Sequence, residues 1–99
     1  MANEHPDKVV RVTLNDKGLA VPDSDPVRVK KDTQKVKWGA EFPFSIEISG
    51  ASSMRSGGND QEFSHVVKSG TFDRPAGTRI KYSITANGQT NDPDLEIEP

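Results

Sequence analysis

Cysteine is absent from this chain of 99 residues. The absence excludes disulfides, thiolate metal sites, iron–sulfur clusters and cysteine nucleophiles. Because a chain without cysteine folds equally well in oxidising and reducing surroundings, the compartment stays open. The N-terminal MANEHPDK lacks the apolar stretch of a signal peptide. We therefore expect either a cytoplasmic protein or the mature portion of an exported one.

Apolar side chains are also scarce, at 31% of the residues against 28% charged. A chain of this length and composition supplies one modest core, and no run approaches the ~18 apolar residues of a membrane span. The net charge of −2 is too close to balance for nucleic acid or an anionic membrane to be the obligatory partner. We predict a flexible N-terminal arm over residues 1–7 and a single β domain over residues 8–99.

What the sequence does contain is short runs in which apolar and polar residues alternate. No segment longer than a turn has helical periodicity, whereas alternation with a period of two is typical of half-buried strands. Asn87-Gly88 is the strongest hairpin signal, because both residues tolerate positive φ. The pattern predicts an all-β fold, a sandwich or small barrel of about seven to eight short strands, and its clearest runs are 8–14, 27–30, 35–38, 44–48, 62–67, 78–86 and 95–98.

The segment from residue 27 to residue 48 raises the question of a reactive centre. VRVK and KVKW, separated by KDTQ, are predicted to form a hairpin with valines and Trp38 inward and the basic side chains outward. The chain then turns a corner through Gly39 and Pro43 into a strand that starts at Phe44. A lone tryptophan in register with Val36 is more often a core residue than a binding platform, so we predict that Trp38 is buried.

These runs resemble the cupredoxin-like fold, the Greek-key β-sandwich of small blue-copper proteins. The resemblance rests on the strand, turn and strand over 27–38 that ends in Trp38, on FSIEI after it, and on AGTRIKYSITANG over 76–88. It implies a Greek-key sandwich. Blue-copper centres need a thiolate, two imidazoles and a weak thioether. In the resembling positions the first histidine's place falls near Phe44 and the cysteine's near Ser83, and no histidine or methionine follows Tyr82, so we predict a copper-free member without cofactor.

Few other groups point to chemistry. His5 and His65 are the only imidazoles, and a shared metal site would require the arm to fold back over the sheet. The loop serines 52, 53 and 56 have no nucleophile elbow around them. Carboxylates cluster in three turns without EF-hand spacing, at Asp23 and Asp25, Asp60 and Glu62, and Asp92 and Asp94. We therefore predict that the protein is not an enzyme.

The most concrete surface feature is a basic face on the predicted hairpin, made of Arg28, Lys30, Lys35 and Lys37. Glu47, Glu96 and Glu98 are predicted to face outward too, and could neutralise it. We expect a monomeric interaction or accessory module that meets a protein partner through this face or through loops 49–61 and 68–77. Two alternatives stay open: a copper or calcium protein using His65 and loop carboxylates, and a small carbohydrate- or ligand-binding sandwich.

Overall fold

The computed structural model describes residues 7–49 and 53–99, which form ten strands and no helix. Apart from Asp7, the predicted N-terminal arm lies outside the described residues, as do His5 and Ser52. The strands are Lys8–Leu14 (β1), Ala20–Pro22 (β2), Val27–Lys30 (β3), Val36–Ala40 (β4), Ser45–Ile48 (β5), Met54–Arg55 (β6), His65–Lys68 (β7), Arg79–Ala86 (β8), Gln89–Asn91 (β9) and Asp94–Glu98 (β10).

The strands form two sheets packed face to face, so the predicted all-β sandwich is confirmed. One sheet has the order β2-β1-β4-β7, and the other has the order β3-β10-β8-β5-β6, with β9 also paired to β8. Two pairings are parallel, β1 with β4 and β3 with β10, and the rest are antiparallel. The count exceeds the prediction because β2, β6 and β9 lie outside the seven alternating runs that indicate strands in the sequence.

The predicted hairpin between residues 27–30 and 35–38 is wrong. Strand β3 pairs in parallel with the last strand, Val27 opposite Leu95, whereas β4 pairs with β1 in the other sheet. The intervening residues therefore cross from one sheet to the other. Lys30 N bonds to Gln34 Oε1 at 3.0 Å and Gln34 N to Lys30 O at 3.3 Å, which gives a locally closed connection without strand pairing.

The chain also changes sheet between β2 and β3, close to two prolines. Pro22 and Pro26 cannot donate to a ladder, so pairing is interrupted on both sides of the crossing. Asp23 N still bonds to Arg11 O at 2.9 Å, and the Asp25 side chain accepts a hydrogen bond from Asp94 N at 3.0 Å. The crossing is thereby tied to a strand of each sheet.

The core lies between the two sheets and is built from the inward positions of the alternating runs. Trp38 and Tyr82 are its largest members, with ring centroids 5.3 Å apart. Around them pack mostly β-branched side chains, which suit a pleated surface: Val10, Val12, Val27, Val29, Val36, Ile46, Ile84 and Ile97. The prediction that Trp38 is a core residue is confirmed.

The predicted corner at Gly39 must be corrected. Strand β4 continues through Gly39 to Ala40, and the chain turns only over residues 41–44. A Cβ on Gly39 would lie 2.1 Å from Cδ2 of Phe63, because the Phe63 ring sits directly on this backbone position. Glycine is needed here for a close approach within a strand.

The Asn87-Gly88 turn is confirmed. Both residues have positive φ, 54° and 73°, and Ala86 is opposite Gln89 in the following antiparallel ladder. This is the geometry of a two-residue hairpin loop whose twist matches the strands.

Candidate functional site

The four predicted surface cations do not lie on one hairpin. Arg28 and Lys30 are on β3, Lys37 is on β4, and Lys35 immediately precedes β4. Since β3 and β4 belong to opposite sheets, their outward side chains point away from each other on the two outer faces of the sandwich. The basic face expected from the sequence is therefore divided into two separate groups.

On the six-stranded sheet the cations meet carboxylates in register. Parallel pairing places Arg28 opposite Glu96 and Lys30 opposite Glu98, with ion pairs of 3.8 and 3.4 Å. Arg79 of β8 reaches Glu96 at 3.5 Å from the other side. The expectation that the glutamates of the last strand relieve these cations is confirmed, so this outer face is charge-complementary.

On the four-stranded sheet the cations surround Phe63. The Arg11 guanidinium lies 4.8 Å from the centre of the Phe63 ring and the Lys37 ammonium 5.4 Å. Lys37 also forms an ion pair with Asp60 at 2.6 Å. Phe63 is only 2% exposed although it lies outside the main core. Sequence reasoning missed this cluster; a glycine inside an alternating strand was the signal that could have found it.

Asp60 holds residues 60–63 in place through several hydrogen bonds and an ion pair. Its Oδ1 accepts hydrogen bonds from Phe63 N at 2.7 Å and Glu62 N at 2.9 Å. The Lys37 hydrogen bond, followed by these two backbone N–H groups, lowers the pKa of Asp60 from 3.8 to about 2. A carboxylate used in this way is a turn acceptor and an ion-pair partner.

The described residues contain no group of three or more His, Asp and Glu side chains placed to hold a metal ion. Ser83, where the resemblance to blue-copper proteins would place a cysteine, donates to Asp92 Oδ1 at 2.7 Å. Phe44, near where that resemblance would place the first histidine, is 5% exposed and belongs to the core. Within residues 7–49 and 53–99, these positions serve packing and turn formation.

Burial raises the pKa of the Tyr82 phenol, and the nearby Trp38 indole N–H opposes part of that rise. Neither Trp38 Nε1 nor Tyr82 Oη has a hydrogen-bond partner of good geometry among the described residues. Both rings are fully enclosed by the core. Neither side chain can therefore form a platform for an external ligand.

The two loops predicted to meet a partner converge on one cleft. It has a volume of about 400 Å³, within the range of ligand sites. Ile48, Met54, Phe72 and Ile80 supply an apolar floor that packs against the core. The other lining residues belong mostly to the segment 69–74, and Ser49 completes the lining. The sequence predicted the loops, but the floor comes from strand ends that only the fold brings together.

The segment 69–74 is held by hydrogen bonds at Ser69 and at Phe72. The Ser69 hydroxyl, buried, accepts a hydrogen bond from Val36 N at 2.9 Å and donates to Gly70 O at 2.8 Å. Phe72 O accepts from Asp32 N at 3.1 Å. Between these anchors Gly70 and Thr71 are exposed at the cleft mouth. A held loop of this kind presents its backbone at low ordering cost.

A second, smaller depression of about 130 Å³ adjoins the cleft and shares Ser49, Arg74 and Ile80 with it. Its lining also includes Thr78 and, from β8, Arg79 and Lys81. Lys81 pairs with Asp94 at 3.1 Å and Arg79 with Asp94 at 3.2 Å. The two depressions together form a groove that is apolar at one end and cationic at the other.

Among the described residues no helix is long and apolar enough to cross a membrane. Comparison of the chain with protein-family models, curated proteins and solved structures returned no match. The site must therefore be interpreted from its own geometry.

Proposed function

We propose that this chain is a non-enzymatic, copper-free cupredoxin-like β-sandwich that binds another protein through the cleft lined by Ile48, Ser49, Met54 and residues 69–74. The observation that carries the proposal is the cleft itself, whose floor is continuous with the core and whose walls are the two loops that sequence patterning nominates for a partner. Loops on a rigid sandwich are the usual place for binding residues.

The cupredoxin-like assignment is supported by the way the chain uses both sheets. It leaves the first sheet after β2, enters the second at β3, and closes that second sheet by pairing its last strand beside β3. The same assignment accounts for the aromatic core at Trp38 and Tyr82, where two long alternating strands, β4 and β8, face each other across the sandwich.

Site-specific photo-crosslinking tests the function. A benzophenone amino acid replaces Thr71, which is exposed at the cleft mouth, and in a matched variant it replaces Thr90, which is exposed on β9 at the far end of β8. We expect the Thr71 variant to crosslink one reproducible partner in lysate, competed by excess unmodified protein, and the Thr90 variant not to crosslink it. Equal crosslinking from both positions, or none from Thr71, would overturn the proposal.

A further inference from the structure

The groove that the cleft and the smaller depression form together is apolar at one end and cationic at the other, which restricts the ligands it can bind. Its cleft end is lined by Ile48, Met54 and Ile80, and these side chains are already packed against the core. Filling the cleft with an apolar group of a partner removes further apolar surface from water, which favours binding. The cleft therefore favours an apolar side chain.

Arg74 stands between the two ends. It lines both depressions, and within the described part of the chain it has neither an ion pair nor a hydrogen bond. A guanidinium presents a fork of donors that matches a carboxylate. Among the described residues of the groove, Arg74 is thus the cation whose guanidinium is available to bind a carboxylate of a ligand.

The remaining charges at the groove favour the same sign of ligand. Arg79 and Lys81 line the smaller depression and share Asp94, while Ser49 and Thr78 add hydroxyl groups. Asp73 is the carboxylate of the cleft's lining, and its side chain is 95% exposed and lies 3.9 Å from the Lys31 ammonium. Cations thus outnumber carboxylates in the groove lining, which attracts an anionic partner.

We infer that the groove recognises a peptide segment in which an apolar side chain is followed by acidic residues, with the apolar group in the cleft and a carboxylate on Arg74. The inference rests on the proposed function, since it names the chemistry of the partner that the cleft binds. It assigns Arg74 as a specificity-determining residue and Ile80 as part of the apolar floor.

Fluorescence anisotropy with labelled nonapeptides tests the inference. The probe pool carries a central Ile, Leu, Val or Phe followed by two Glu in a Gly/Ser background; one control pool has Lys in place of Glu, and another has Ser in place of the apolar residue. Because rim charges and apolar anchors contribute separately, we expect each control pool to bind at least about tenfold more weakly.

Arg74→Glu should weaken binding of the probe pool at least about tenfold, whereas Lys17→Glu, the same charge reversal in the exposed turn after β1, should change it less than about twofold. Arg74 is exposed, so its substitution leaves the fold intact, and the tryptophan emission of each variant verifies this. Equal binding by the two variants would overturn the role of Arg74.

The outcomes separate the inference from the proposed function. If Thr71 crosslinks a partner but the acidic and basic pools bind alike, or no pool binds, the acidic-peptide inference fails and the interaction function stands. Saturable binding of decanoate together with failure of every peptide would also overturn it, in favour of a small amphiphile. If neither the pools bind nor Thr71 crosslinks, both proposals fail.

Discussion

Two neighbouring residues of β4, Trp38 and Gly39, each determine the packing of an aromatic cluster. The Trp38 side chain points inward and contacts Tyr82 in the core. Gly39 occupies an outward position, where its lack of a side chain leaves room for the Phe63 ring. The alternation of a strand places adjacent residues on opposite faces, so these two residues anchor separate clusters. The sequence predicted the inward cluster because tryptophan alternates with Val36. It did not predict the outward one.

Replacing Trp38 by alanine should destabilise the protein by about 3–5 kcal/mol, as large-to-small core substitutions do. The side chain is 0% exposed, so the change removes buried apolar area and leaves a cavity. The variant has no tryptophan left to report unfolding by its emission. Urea unfolding is therefore followed by circular dichroism, which measures the loss of stability. A loss below about 1 kcal/mol would mean that Trp38 is exposed in solution and would contradict the packing described above.

Gly39→Ala should destabilise the protein by about 1.5–3 kcal/mol, because its methyl group requires the Phe63 ring to leave its site. The displaced ring would also lose the Arg11 and Lys37 contacts. The measurement is the free energy of unfolding in urea, read from the tryptophan emission.

A double-mutant cycle isolates the cause. In a Phe63→Ala background the ring is absent, so adding Gly39→Ala should cost less than about 0.5 kcal/mol, and a coupling energy of about 1–3 kcal/mol between the two positions is expected. If Gly39→Ala costs the same in both backgrounds, the ring does not lie on Gly39 and the outward cluster is misplaced.

At the scale of elements, alternation predicts which segments are strands but not which strands pair. VRVK and KVKW have the pattern of a hairpin, and the four residues between them are compatible with a turn. Their real partners, β10 and β1, lie far away in sequence, and the choice depends on how both sheets close. The cleft could not be predicted from the sequence for the same reason, since Ile48 and Ile80 come close to loop 69–74 only after the sheets form.

Engineered disulfides test the corrected pairing, and the absence of native cysteine makes the readout clean. Arg28→Cys with Glu96→Cys joins outward positions that are opposite in the β3/β10 ladder. Neighbouring strands lie about 4.8 Å apart, within the reach of a disulfide. We expect oxidation to form this bond in the folded protein, detected as a two-hydrogen loss in intact mass that reductant reverses.

The matched control is Arg28→Cys with Lys37→Cys, the pair that a hairpin would have placed opposite one another. In the sandwich these positions lie on opposite outer faces, and the folded monomer should keep both thiols free under the same oxidant. An intramolecular bond in the control pair, or its absence in the first pair, would restore the hairpin and refute the assignment of β3 and β4 to different sheets.

At the scale of the whole molecule, carboxylates add ion pairs on both outer faces of the sandwich. Asp60 links the segment before β7 to Lys37 of β4, and Asp94 bridges Arg79 and Lys81 of β8. Hydrogen bonds from these lysines and the arginine lower the pKa of both carboxyl groups. Protonation in acid therefore weakens both outer faces of the sandwich together.

Acid should destabilise the protein through Asp60 in a defined pH window. The folded-state pKa of Asp60 is about 2 and lies below the ordinary 3.8, so the ionised form favours folding. This contribution is complete above about pH 4 and is lost as the pH falls from about 4 through about 2. In Asp60→Asn the decline of unfolding free energy across that window should be shallower. It should not vanish, because Asp94 has a depressed pKa as well.

The cause of the shift can be tested separately from its effect on stability. Lys37→Met removes the strongest contribution while keeping a long apolar stem, so an NMR titration of the Asp60 carboxyl carbon should show its pKa rising toward 3.8. The Phe63 and Glu62 backbone bonds remain, and the pKa should therefore stay below the ordinary value. Lys17→Met, which removes a cation from an exposed turn, is the control. If the Asp60 pKa moves equally in both variants, the shift reflects overall charge, and the 2.6 Å contact with Lys37 is not its source.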